Sequence, residues 1–447
     1  MTDPQIIWFR QDLRLADQAA VAAAARAGPV IAVYVLDDET PGNWRIGGAQ
    51  RWWLHHSLAA LAASLEAQGV PLVLRRGRAG TVIPELVRTS GAGAVHALWH
   101  YEPWARVQQA EVAAECELQL HDGNYLLPPG TVRTGSGGPF RIFTPFWRAL
   151  QQHMPPPPPT PVPALTAAPV PDSDTLADWQ LLPTRPDWSK GFNVWTPGEA
   201  GAHAALDAFA GKAAAYDRAR NFPAEAGSSR LSPHLHFGEV SPGQVWHAVP
   251  DSDSYRREIA WRDFAAGLID TFPDSHETPG RAQFVDFAHR DAPDELRAWQ
   301  QGRTGYPIVD AGMRELWATG WMHNRVRMIA ASFLVKHLLI DWRAGSRWFW
   351  DTLVDADLGN NSLGWQWIMG SGVDSSPFNR IFAPVTQSAK FDASAYIRKW
   401  VPELARVPEA AIHAPWEAGG ARGYPPPLVD HAVARARALA AYAATRA

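Results

Sequence analysis

The run "MPPPPPTPVPALTAAPVP", Met154 to Pro171, divides the chain. Proline has no N–H to give a helix or a sheet ladder and fixes its own φ, so the run reads as a stiff, extended inter-domain linker. The two sides of it have different rhythms. Before it, short apolar, partly β-branched runs recur: "IIWF" (6–9), "VIAVYVL" (30–36), "PLVLRRG" (71–77), "AVHALWH" (94–100) and "ELQLHD" (117–122). Segments rich in Ala, Leu and Glu, such as 49–68, lie between them. That alternation predicts an α/β domain with a doubly wound parallel sheet, and the continuous apolar strands fit a sheet covered on both faces. After the linker, from Glu199 onward, apolar residues recur at three and four and strand signals vanish, which predicts an all-α C-terminal domain. The expected division is 1–128, 129–198 and 199–447.

Composition narrows the function. The chain has 447 residues, 46% hydrophobic and 19% charged, enough for two or three domains with sizeable cores. One cysteine, Cys116, excludes a disulfide framework and a four-cysteine metal or iron–sulfur site. No apolar run reaches membrane-span length, and the first residues, "MTDPQIIWFRQDLR", do not form a signal peptide, so a cytoplasmic protein is expected. The net charge of −4 means that a nucleic-acid site must be a local basic patch. The 22 Trp outnumber both Tyr and Phe, and indoles serve packing as well as stacking on flat ligands. The first strand-to-helix turn, "RQDLRLAD", holds no glycine-rich phosphate cradle.

Four clusters mix residue types that neither a core nor a solvated face would choose. In "WMHNRVRM" (321–328), helical spacing puts Trp321, Asn324, Arg325 and Met328 on one face and turns Arg327 elsewhere. In "EIAWRDF", Glu258, Trp261 and Arg262 share a face, either as a helix-stabilising pair beside an indole or as a site. In "GSSRLSPHLHFGEVSP" (227–242), Ser228, Ser229 and Ser232 sit where a helix could begin, so they are N-caps or phosphate ligands. His234, His236 and His323 are metal ligands by type, but nothing completes a ligand spacing, so no metal is expected. In "DADLGNNSLGWQW" (355–367), acids, amides and indoles crowd together, as a buried flat ligand with a polar chain would require.

With these residues in view, the chain resembles the photolyase/cryptochrome family. The likeness runs from "WFRQDLRLAD" through "GRTGYPIVDAGMRELWATGWMHNRVRM" to "KWVPEL", and the middle run is similar to plant cryptochromes and the photolyases nearest to them, the class III kind. The resemblance implies an α/β antenna domain and a helical FAD-binding domain. It implies that reduced FAD passes an electron, under blue light, to a flipped-out cyclobutane pyrimidine dimer in UV-damaged DNA and splits it.

By motif, Tyr216 and the run Ser228, Ser229, Arg230, Leu231 and Ser232 would contact the phosphates and ribityl chain. Trp321, Asn324, Arg327, Asp355, Asp357 and Asn361 would line the flavin, with Arg327 paired to Asp355 and Asn361 at N5. Glu258, Trp261, Asn324, Arg325, Met328 and Trp367 match the lesion pocket, and Arg220, Arg262, Arg325, Arg380 and Gln387 match DNA-backbone positions. Glu258 and Asn361 are the catalytic expectations, with Trp365 and Trp342 as the inner members of an electron chain. His289 stands where its surface Trp, ten residues before Trp299, is expected; Trp348 or Trp350 are other exits.

Glu102, in "HYEPWAR", is expected to bind a second antenna chromophore, methenyltetrahydrofolate rather than a deazaflavin. A monomer is expected. The rival reading is a blue-light photoreceptor of the cryptochrome type without repair. The retained Trp261, Met328, Trp367 and Asn361 weigh against it, and Asn324 after His323 weighs against a six-four photoproduct enzyme.

Overall fold

A computed structural model describes residues 2–445. The chain forms two compact units. One gathers the chain up to Trp188 with Trp195–Ala213 and Ser229–Pro273. The other gathers Ser189–Val194, Ala214–Ser228 and the chain from Asp274 onward.

The first unit is built on five parallel strands: β1 (Gln5–Phe9), β2 (Val30–Leu36), β3 (Leu72–Arg76), β4 (Ala94–Leu98) and β5 (Leu118–His121). Their order is β3-β2-β1-β4-β5, the doubly wound arrangement predicted from the alternating pattern. Four helices intervene: α1 (Ala19–Ala27), α2 (Gly48–Glu66), α3 (Ala79–Ser90) and α4 (Pro103–Glu115). Ile6, Trp8, Ile31, Val33 and Val35 alternate along β1 and β2 and pack with Ile83, Leu86 and Val112 of α3 and α4. Ile7 and Phe9, between them in sequence, are fully buried too, so both faces of the central strand are covered.

The proline run is extended, but it is not a free spacer. Thr166 O accepts from Val30 N at 2.7 Å and Ala168 N donates to Val30 O at 3.0 Å, so the segment pairs with the start of β2. Farther on, Leu74 N donates to Ser173 Oγ at 2.9 Å. The flanking non-proline residues supply the donors and acceptors that the prolines lack. Helix α5 (Phe143–Leu150) precedes the run.

Four helices from beyond the linker complete this unit: α6 (Glu199–Ala210), α8 (Ser232–His236), α9 (Pro242–Ala248) and α10 (Asp253–Thr271). Buried carboxylates tie them to the sheet. Glu199 accepts from Leu15 N (2.9 Å) and Ala16 N (3.0 Å). Glu239, fully buried, accepts from Trp53 Nε1 (2.9 Å) and Gly198 N (2.8 Å).

The second unit is helical: α7 (Tyr216–Ala219), α11 (Pro293–Gln300), α12 (Pro307–Thr319), α13 (Asn324–Ser332), α14 (Trp342–Thr352), α15 (Leu358–Met369), α16 (Pro384–Lys390), α17 (Ser394–Trp400) and α18 (His431–Ala444). Helix α12 lies at its centre, and the "GRTGYP" run fixes its entry. Asp310, fully buried, accepts from Thr304 N and Oγ1 (both 2.7 Å), Gly305 N (3.0 Å) and Tyr424 Oη (2.5 Å). Gly320, at φ +69°, ends the helix in the left-handed conformation. No helix among the described residues is long and apolar enough to cross a membrane.

Candidate functional site

Helices α13, α14 and α15 enclose a cavity of about 210 Å³ in the helical unit, room for a fused-ring group. Its apolar wall is Met328, Ala331, Phe349, Leu353, Ala356, Trp365 and Ile368. Its polar edge is Asn324, Arg327, Asp355, Asp357, Asn360 and Asn361. The crowding seen at 355–367 is explained here: residues of both kinds line one slot.

Each polar residue has a local reason for its place. Asp357 caps α15, accepting from Asn360 N at 2.7 Å, and so fixes where that helix begins. Asn361, one turn on, donates from Nδ2 to Ser346 O and Ser346 Oγ, both at 3.0 Å. A backbone carbonyl can only accept, so the amide nitrogen must face it and the acceptor Oδ1 is left as the other end of the side chain. Arg327 donates to Asp355 Oδ2 at 2.8 Å, the pairing expected from the motif, and to Met322 O at 2.7 Å. The Asp355 side chain is 3% exposed, so the pair sits at the edge of the interior. Trp365 reaches the wall only because position 345 is glycine: a Cβ there would lie 2.1 Å from the indole.

An apolar slot with an acceptor at one end and a buried ion pair at its edge fits the flat, polar-edged ring of a flavin. Asn361, Asp355, Arg327 and Asp357 are the residues that could hold it. Among the described residues there is no group of three or more His, Cys, Asp or Glu that could hold a metal ion.

One expected face is corrected. Trp321 is not on the helix. Gly320 breaks the chain direction, residues 321–323 are extended, and His323 caps α13 by accepting from Arg325 N. Helical register therefore starts at Asn324, and the cavity face is Asn324, Arg327, Met328 and Ala331. Arg327 points in, and Arg325 turns away. Trp321 is buried beside Arg327, whose guanidinium carbon is 5.9 Å from the ring.

Arg325 instead pairs with Asn221 Oδ1 and lies 4.6 Å over the Phe391 ring. Burial lowers its pKa, and the positive charges of Arg220 and Arg380 lower it further. Three guanidinium groups close enough to feel one another form the local basic patch that a −4 protein needs for an anionic partner. Arg220 stacks over Tyr216 at 5.1 Å, and the exposed Arg380 lies 5.9 Å from the half-buried Trp367. Gln387, half-buried, is on α16.

Ser229 to Ser232, Glu258, Trp261, Arg262 and Glu102 lie in the sheet-containing unit, and Ser228 at the end of the other. Ser229 Oγ accepts from Tyr255 Oη at 2.7 Å and from Leu231 N at 3.2 Å, Arg230 has φ +56°, and α8 starts at Ser232. Glu258, Trp261 and Arg262 ride on α10 as their spacing required. Trp261 stacks on Phe143 with centroids 3.6 Å apart and 9° between planes, a partner that no sequence signal marked in the apolar helix α5. Arg262 is not a free phosphate ligand as placed: Nη1 donates to Asn124 O, Nη2 donates to Leu235 O at 3.1 Å, and the group sits 4.6 Å over Tyr125. Two carbonyls with no ladder partner take the donors that were expected to face DNA. Glu102 is buried at the N-cap of α4, 3.9 Å from His100 Nδ1.

Of the indoles, Trp365 packs edge-on to Phe349 (5.0 Å) and Trp299 (6.2 Å), and Trp342 is buried at the start of α14. His289 lies half-buried beside Phe287. Trp350 is buried, whereas Trp348 lies parallel to the exposed Trp317 at 6.0 Å.

Comparison with known proteins agrees with this geometry. Residues 5–164 match the DNA photolyase family, and residues 255–444 match the FAD binding domain of DNA photolyase. A deoxyribodipyrimidine photo-lyase of Agrobacterium fabrum is 47% identical over 100% of this chain and 98% of its own. Cryptochrome-1 of Arabidopsis thaliana is 38% identical over 97% of this chain and 69% of its own. The crystal structure of a bacterial class III photolyase from Agrobacterium tumefaciens superposes with a TM-score of 0.95, at 47% identity, covering 100% of this chain and 98% of that one. Sheet order, helical cavity and likeness along the whole chain together assign it: the chain belongs to the photolyase/cryptochrome family.

Proposed function

We propose that this chain is a deoxyribodipyrimidine photo-lyase, an enzyme that repairs UV-damaged DNA with blue light. The observation that carries the reading is the slot between α13, α14 and α15, with the Asn361 amide and the Arg327–Asp355 pair on one edge and Trp365 on its wall. FAD, when bound and reduced, supplies the electron that splits the cyclobutane ring of the dimer.

The chain's residues bind, orient and shield. Ser346 holds the Asn361 amide with Oδ1 as the free acceptor, so Asn361 would accept from an N–H of the reduced ring. Arg327 neutralises Asp355 at the flavin edge while Asp357 anchors α15. Tyr216, Ser228, Ser229, Arg230, Leu231 and Ser232 carry the phosphates and ribityl chain. Glu258, Trp261, Asn324, Met328 and Trp367 would take the flipped lesion, by their match to the family's motifs. Damaged bases leave the stack more cheaply than intact ones, which favours the dimer before any contact is made. Arg220, Arg325, Arg380 and Gln387 hold the DNA backbone, a role supported by the three clustered guanidinium groups. Arg262 braces α10 from behind. Trp365 and Trp342 relay electrons inward.

By role, 1–128 would carry the antenna, 129–198 the connection and 199–447 the chemistry. A second chromophore, methenyltetrahydrofolate at Glu102, would collect light, and the protein would act as a cytoplasmic monomer.

The test is direct. The reduced holoprotein is mixed with an oligonucleotide holding one thymine cyclobutane dimer and illuminated with blue light beside a dark control. Restoration of two thymines in the light alone is expected. No repair with FAD bound and reduced would refute the reading and leave a photoreceptor.

A further inference from the structure

Helix α13 runs on into an unusual turn. Its continuation, Phe333–His337, is wound as a π-helix, with Leu338 N donating to Phe333 O at 3.0 Å. Such a wide turn is rare, and it recurs at functional sites. This one carries a buried lysine. Lys336 is 1% exposed, and its Nζ lies 5.0 Å from the centre of the Phe378 ring. Among the described residues no carboxylate forms an ion pair with it.

A buried lysine without a counter-ion is costly, and a methionine would fill the same space without that cost. What the amine adds is donors. They reach Phe378 O at 2.9 Å and Arg380 O at 3.0 Å, two carbonyls of the segment between α15 and α16, which is neither helix nor strand. The turn is otherwise closed by Arg380 N to Pro377 O and Ile381 N to Asn379 O, both at 3.0 Å. An amine keeps two N–H donors even after it gives up its proton, so both bonds persist in either state. At the tip of the turn, Asn379 and Arg380 are exposed. The Arg380 guanidinium carbon lies 5.5 Å from the Phe382 ring and 5.9 Å from the Trp367 ring, and among the described residues no carboxylate pairs with it. One residue is thus gripped from inside by its carbonyl while its charge stands outside.

We propose that Lys336 is a positioning residue for nucleic-acid binding: from inside the helical unit it pegs the turn 378–380 and so presents Arg380 to a phosphate of the DNA backbone. The phosphate rests on the function proposed above; the pegging does not. Without the amine, two buried carbonyls lose their donor, and the cheapest repair is for the turn to swing out and hydrate them. That movement takes Arg380 off the rings of Phe382 and Trp367 and away from the place where it joins Arg220 and Arg325 in one field. A brace for stability alone could hold any carbonyl of the segment, whereas this one holds the residue whose side chain carries the unpaired charge.

The test compares Lys336→Met, Arg380→Ala and the double variant with the wild type, all as holoproteins. Hydrogen exchange without DNA reads the turn. The Arg380 and Ile381 amides should exchange about tenfold faster in Lys336→Met, with Ile368 and Met369 of α15 unchanged. Dark binding of an oligonucleotide holding one thymine cyclobutane dimer, followed by fluorescence anisotropy over a range of salt, reads the phosphate. Each single variant should reduce the slope of log affinity against log salt by about 0.9, the worth of one phosphate on duplex DNA, and the double variant should reduce it no further. Lys336→Met combined with Arg220→Ala should lose both contributions, because Arg220 is not on the turn. Lys336→Gln, shorter but with two N–H donors, should change exchange and slope in the same direction by less, and it carries the test if Lys336→Met does not fold. Unchanged exchange, an unchanged slope beside faster exchange, or a double variant that loses the sum of the two single losses would overturn the proposal. A wild type that binds no DNA would overturn the enzyme reading and the phosphate with it, and the pegging would then stand or fall on exchange.

Discussion

Replacing Asn361 with alanine removes two 3.0 Å hydrogen bonds to Ser346 and the acceptor that lines the flavin slot. The two losses act on different observables. Ser346 is fully buried, but its carbonyl lies inside α14 and keeps its helical partner, so only the two added side-chain bonds are lost, which places the expected loss near about 1 kcal/mol of fold stability. The acceptor Oδ1 serves only the reduced, protonated ring. Losing one neutral hydrogen bond of about 0.5–1.5 kcal/mol from that state lowers the one-electron potential of bound flavin by roughly 20–65 mV, at 59 mV per tenfold. Asn361→Asp separates the effects. It keeps acceptors but can donate to Ser346 O only by holding a proton, so its flavin potential should depend on pH more steeply than that of the wild type. The assay is a dye-coupled redox titration followed by flavin absorption, with thermal melting alongside. A potential within 10 mV of wild type in Asn361→Ala, beside a lowered melting temperature, would show that the amide only braces α14 against α15 and would refute its place at the reducible edge.

Trp261→Ala should weaken dark binding of a dimer-containing oligonucleotide by about 5- to 150-fold, the worth of one base stacked on an indole, with FAD retained; fluorescence anisotropy reads it, and undiminished affinity would remove Trp261 from the lesion site. Arg327→Met leaves Asp355 buried without its cation, a loss of up to about 3–5 kcal/mol that the partly exposed arginine reduces; melting temperature and FAD retention should both fall, and Arg327→Met with Asp355→Asn should recover part of the loss. Lys336, 1% exposed, donates to Phe378 O (2.9 Å) and Arg380 O (3.0 Å), and burial, then Arg380, lowers its pKa from 10.5 to about 7. Between about 7 and 10.5 the unfolded chain holds a proton that the folded chain has released, so Lys336 favours folding increasingly as pH rises, by at most about 1.4 kcal/mol per unit. Denaturant unfolding of Lys336→Met should lack that component, and parallel pH profiles for variant and wild type would contradict it.

The strands were legible because each is a short, mostly apolar run between turn residues, and in β1, β2 and β4 burial on both faces leaves little polar alternation, whereas β3 and β5 are partly exposed. The extended proline segment followed from the chemistry of one residue type, and the expectation of which residues line the slot from motifs whose spacing is local. Asp357 as a cap and Asn361 one turn later are separated by four residues, so sequence alone set their relation.

What the sequence did not contain is everything set by contacts across long stretches of chain. That α6 and α8 to α10 belong with the sheet depends on Glu199 reaching Leu15 and Ala16, and on Glu239 reaching Trp53, partners roughly 185 positions away. Gly320 and His323 let α13 begin only at Asn324, which takes Trp321 off the helix, and packing turned the side with Arg327, not the side with Arg325, toward the cavity. Arg262 looked like a phosphate ligand, but in the fold its Nη1 and Nη2 donate to the carbonyls of Asn124 and Leu235, remote in sequence. Periodicity reports which residues share a face. What that face meets, and which polar atoms are left without water, is decided when remote segments pack, because desolvation and hydrogen-bond satisfaction belong to the assembled interior and to no segment of it.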